Sequence, residues 1–120
     1  MLIKNFYTVQ NLVTGENKFT AVIGLNPGHE VYDGHFPGQP VVPGVIQIQL
    51  LRELAEEVLL QKLFINQVVS AKYLNMIVPG RYPLLIELVY KSVEEGYSIN
   101  GTIKNDERIF SKIKLKVIAE

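Results

Sequence analysis

Cysteine is absent from the 120 residues, which removes disulfides, thiol nucleophiles and thiolate metal sites together and fits a reducing compartment. An excess of charge of either sign is absent too, since twelve Lys and Arg balance twelve Asp and Glu. No run of basic residues interleaved with aromatics replaces it, so nucleic acid is not an expected partner. No stretch approaches the ~20 apolar residues that cross a bilayer, and the first ten residues lack the unbroken apolar core of a secretory signal. The expectation is a soluble cytoplasmic protein without a membrane segment. Histidine is nearly absent: His29 and His35 lie six residues apart, with Glu30 and Asp33 as the only nearby acids. That is a poor ligand set, and neither a metal nor a cofactor is expected.

What is present is 48% apolar residue content, enough for one core, and the chain reads as a single domain over residues 1–120. Alternating segments over residues 4–13 and 18–25 predict two strands joined by Thr14-Gly15-Glu16-Asn17, whose Gly and Asn tolerate positive φ. Residues from about Gly44 to about Leu63 predict a helix too apolar around its circumference for a surface element. Strands are predicted over 66–78, 84–93, 97–104 and 109–119. In the last of these Lys112, Lys114 and Lys116 alternate with Ile113, Leu115 and Val117, the mark of a half-buried strand with a wet face. The order implies an α+β fold, a curved antiparallel sheet wrapped around one long central helix. Such a sheet leaves edges to cover, so self-association is expected.

Residues 34–45 read Gly-His-Phe-Pro-Gly-Gln-Pro-Val-Val-Pro-Gly-Val. Pro37 and Pro40 stiffen this loop, Pro43 stands where a helix begins, and its glycines admit close backbone approach. His35 is thereby placed beside a helix start whose free N–H groups can receive developing negative charge. A lone histidine is more often satisfied by a backbone carbonyl; this setting argues for a base. His29 has no such context and reads as a surface turn residue.

The run His35 to Val45 resembles the signature of the hot-dog-fold 3-hydroxyacyl-acyl-carrier-protein dehydratases, and Lys72 to Gly80 is similar to that family's second landmark. The resemblance implies a hot-dog fold and loss of water from a 3-hydroxyacyl thioester, carried on the phosphopantetheine arm of an acyl carrier protein, to give a trans-2-enoyl thioester. It implies His35 as the base and Phe36, Pro43, Gly44 and Val45 as substrate contacts, with the Gly44 or Val45 amide holding the enolate-like oxygen. In the family, a homodimer or higher homo-oligomer brings an acid from the opposite helix.

The chain departs from the pattern at that acid. The family's carboxylate lies fourteen residues after the histidine, where this chain has Gln49; Glu53 stands one turn later, where the family shows glutamine. The position after the second Pro-Gly, often acidic, is Arg81. No counterpart of the family's His-Arg-x-Pro helix precedes the first expected strand. Three accounts follow, in this order. Glu53 donates the proton; or a heteromer with another hot-dog subunit supplies the carboxylate; or dehydration is lost, leaving an acyl-thioester hydrolase or a non-catalytic acyl-binding subunit. Unless its face is buried, Glu53 reads more readily as a solvated helix charge like Glu56 and Glu57; Gln49 reads as a buried hydrogen-bonding amide as much as a substrate contact, Arg52 as a surface residue, and Phe36, Tyr73 and Tyr82 as core more often than acyl-tunnel lining.

Overall fold

A computed structural model describes residues 5–33, 40–80 and 82–119. The elements are β1 (Tyr7–Gly15), β2 (Lys18–Leu25), α1 (Gly44–Leu59), β3 (Leu63–Tyr73), β4 (Leu84–Val93), β5 (Gly96–Lys104) and β6 (Ile109–Ala119), with a 3-10 turn at Glu30–Tyr32. The strands form one six-stranded sheet in the order β1-β2-β4-β5-β6-β3, every neighbouring pair antiparallel. Among the described residues no helix is long and apolar enough to cross a membrane.

The period-2 pattern sets which face is buried. Phe19, Ala21 and Ile23 of β2, Leu84, Ile86 and Leu88 of β4, Ile99 and Ile103 of β5 and Ile113, Leu115 and Val117 of β6 are all buried, while the residues between them face outward. Onto that inner face α1 packs Leu50, Leu51, Leu54 and Ala55. The approach is close at Gly101, where a Cβ would stand 2.7 Å from Leu51 Cδ1, so β5 carries no side chain at the point directly beneath Leu51.

Turn chemistry closes the hairpins. β1 and β2 join through Glu16-Asn17, with Asn17 at φ 57°. Between β5 and β6 the Asn105 Oδ1 accepts the N–H groups of Glu107 and Arg108, both at 2.9 Å, an Asx turn that reverses the chain.

Six boundaries differ from expectation, two of them only at a strand's start: β1 begins at Tyr7 rather than at residue 4, and β5 at Gly96 rather than at residue 97. β1 runs on to Gly15 because the turn takes two residues rather than four. The helix stops at Leu59, not Leu63: Leu60 adopts the left-handed conformation, and Glu56 Oε2 accepts the Leu63 N–H at 2.8 Å, turning the chain out of the helix. β3 therefore begins at Leu63, paired with Ala119, rather than at residue 66. It ends at Tyr73 rather than 78 because the Leu74 and Asn75 N–H groups both turn to Phe110 O. Nor is the helix enclosed all round, for Val45 is 63% exposed.

Candidate active site

The site is built at the start of α1. Pro43 is the N-cap, with φ −62° and ψ 149°, and the Ile46 and Gln47 N–H groups donate to its carbonyl at 3.1 and 3.2 Å. The Gly44 and Val45 N–H groups precede that ladder, at the positive end of the helix. Two bonds hold the segment in place: Val42 N–H donates to Ile77 O at 2.9 Å, and Gln47 Nε2 donates to Val42 O at 3.2 Å. Gly44 lets its neighbour approach closely, since a Cβ there would lie 2.6 Å from Tyr73 Cζ and would push the ring tip aside. The half-exposed ring of Tyr73, expected in the core, thus lies over the helix start at the end of β3, and partial burial raises its phenol pKa. Of the residues read from sequence as the site, His35 and Phe36 lie outside the described residues, as does Arg81.

Gln49 and Glu53, one turn apart, have different surroundings. Gln49 is half-buried, and its Oε1 accepts Arg52 Nε at 2.9 Å. Because a guanidinium only donates, the atom facing it is the amide oxygen, which leaves the Gln49 NH2 as the group free to act. Arg52 is not a surface residue. It is 7% exposed, paired with Glu56 Oε1 at 2.9 Å and bonded through Nη1 to Leu63 O at 3.4 Å. A chain of contacts thus runs from the start of β3 through Glu56 and Arg52 to the Gln49 amide.

Glu53 is not a solvated helix charge either. It is 5% exposed, and its Oε1 accepts the Tyr7 hydroxyl of β1 at 3.3 Å. Burial, then the adjacent Glu53 charge, push the Tyr7 phenol far above its ordinary pKa. The helix is flanked by two polar ties, Glu53 to β1 and Arg52 to β3. Tyr7 and Arg52 were not legible as partners, because each contact depends on which strand ends up beside which side of α1. His29 is part of a packed cluster rather than a surface turn residue: its Nδ1 accepts Val31 N–H at 2.9 Å and its ring stands edge-on to Phe6. Among the described residues no group of three or more His, Cys, Asp or Glu is placed to hold a metal ion.

The curved antiparallel sheet wrapped around one helix defines a hot-dog protein. A family profile described as ApeI-like, ApeI dehydratase, matches residues 11–112, and the chain belongs to that family. The 3-hydroxyacyl-acyl-carrier-protein dehydratase FabZ of Ligilactobacillus salivarius is 30% identical over 101 residues, 76% of this chain and 71% of the relative. Among solved structures, the dehydratase heterocomplex ApeI:P from Xenorhabdus doucetiae aligns with TM-score 0.80 at 21% identity, covering 92% of this chain and 96% of the other. A hypothetical thioesterase with coenzyme A from Streptococcus pneumoniae aligns with TM-score 0.67 at 12% identity, covering 94% and 87%.

Proposed function

We propose that the chain is one subunit of a dehydratase that converts 3-hydroxyacyl thioesters on an acyl carrier protein to trans-2-enoyl thioesters, paired with a second hot-dog subunit that supplies the acid. His35 takes the proton from the carbon next to the thioester carbonyl, and the Gly44 or Val45 amide holds the enolate-like oxygen, a contact commonly worth about 3–4 kcal/mol. The carbon–oxygen bond at the β position then breaks. The leaving hydroxyl takes a proton from the partner's acid and departs as water. Gln49, with its NH2 outward, donates a hydrogen bond to that hydroxyl and fixes its position. Phe36 and Pro43 line the acyl thioester.

The observation that carries this reading is the Arg52 Nε bond to Gln49 Oε1, which makes the position expected to hold an acid a neutral donor. Glu53, the other candidate acid, already accepts Tyr7 and is buried against β1, which supports a structural role. The solved neighbour described as a dehydratase heterocomplex supports assembly with a second subunit. The test incubates the chain with a 3-hydroxyacyl carrier protein, alone and with another hot-dog subunit from the same source. Enoyl absorbance and free thiol are followed in parallel. Enoyl product only with the second subunit, lost in His35→Ala and kept in Glu53→Gln, is the expected result. Turnover by the chain alone that disappears in Glu53→Gln favours the exchanged acid, and thiol release without enoyl product favours a hydrolase.

A further inference from the structure

The outer face of the sheet carries a charge separation that the neutral composition hides. Strand register places Lys18 (β2), Lys91 (β4), Lys104 (β5), Lys112, Lys114 and Lys116 (β6) and Lys72 (β3) on that face, opposite the core. That is seven of the chain's twelve basic residues against one of its twelve acids, Glu87, which is already paired with Lys104 at 2.8 Å. Lys72 and Lys112 stand directly across from each other in the β3–β6 ladder, an arrangement of like charges that weakens strand pairing. Among the described residues no ion pair relieves it. Beside them lies a hollow of about 190 Å³ whose outward side chains are Ser70, Lys72, Asn100, Thr102, Lys112 and Lys114, cations and neutral hydrogen-bonding groups, with Gly101 and the buried Ile113 at its floor.

We infer that this face, centred on the Lys72–Lys112–Lys114 hollow, is the docking surface for an acidic protein partner, namely the carrier that bears the acyl thioester. The inference rests on the function proposed above. Charge complementarity selects a carboxylate-rich surface. Position ties it to the site: successive strand residues point to opposite faces, so Lys72 stands behind the sheet where Tyr73, on the inner face, lies over Gly44 at the helix start. The hollow and the helix start are one sheet thickness apart at the end of an edge strand. No exposed aliphatic or aromatic side chain lines the hollow to enter a bilayer, which disfavours a lipid surface.

The test uses the double variant Lys112→Glu/Lys114→Glu, whose new carboxylate at 112 faces Lys72 and so favours the fold. Binding of a purified holo acyl carrier protein is measured by calorimetry, and turnover, with the second hot-dog subunit present, is measured with the same acyl group on the carrier and on free pantetheine. Wild-type affinity is expected to fall at least about tenfold between about 50 and about 300 mM salt. In the double variant, affinity and the ratio of kcat/KM for carrier-borne over pantetheine-borne substrate should fall by more than about tenfold. Equal affinity of wild type and variant overturns the docking face, even if turnover proves the dehydratase reading right. Salt-sensitive binding that the variant loses upholds the face even if neither substrate is dehydrated, in which case only the functional reading fails. Co-sedimentation with anionic phosphatidylglycerol vesicles in place of carrier binding also overturns it.

Discussion

At the scale of single residues, the buried hydroxyls separate groups that hold the fold from groups that burden it. Tyr7 and Tyr32 are both buried, but Tyr7 gives its proton to Glu53 whereas the Tyr32 hydroxyl has no partner among the described residues. Tyr7→Phe should cost about 1–3 kcal/mol by leaving a buried carboxylate short of a donor, and Tyr32→Phe should be neutral or stabilising by up to ~1 kcal/mol, both read by urea melts. Burial raises the Tyr32 pKa from 10.0 to about 12. A raised folded-state value means this contribution is complete below the unfolded value, and stability then falls as pH climbs from 10 to about 12. Alkaline melts of Tyr32→Phe should fall off less steeply than wild type over that window. At Gln49 the neighbour decides the outcome. Gln49→Glu places a carboxylate against Arg52, which favours its ionised form, so the variant alone should still form no enoyl product, read by enoyl absorbance. Product from the variant alone would make Gln49 the one missing part of a self-sufficient enzyme.

Elements meet where side chains are missing. Gly101→Ala would drive a methyl into Leu51 of the helix and should cost about 1–3 kcal/mol of overpacking, measured by thermal or urea unfolding. Much of this layer was legible in the chain. The Lys112-Lys114-Lys116 alternation gave β6 its two faces, and Pro43-Gly44 gave the helix its first residue, because both signals are local. The end of α1 was not legible: Leu60, Leu63 and Phe64 continue an apolar pattern, no glycine marks the stop, and Leu60 itself takes φ 55°. What ends the helix is Glu56 reaching the Leu63 N–H seven residues on. The ties of Glu53 to Tyr7 and of Gln49 to Arg52 were hidden for a similar reason. The first spans 46 residues, and the second only acquires meaning once Leu63 has brought β3 alongside.

At the scale of the whole molecule, both edge strands offer apolar side chains to another chain, β1 through Val9, Leu12 and Val13. β3 exposes Phe64, Val68, Val69 and Tyr73 along the sheet's end, with Leu74 and Met76 continuing the apolar surface beyond it, and such an edge is a template for strand pairing. Val69→Lys should abolish assembly across β3 and reduce the mass seen by light scattering to that of one 13.6 kDa chain. The lysine-bearing outer face has a further consequence. A protein with no net charge whose cations crowd one surface is a strong electric dipole, so it should turn as it nears any charged object and arrive lysines first. A sulfonate resin should therefore retain it near pH 6.7, where its composition balances to zero charge and net charge alone predicts that it runs straight through.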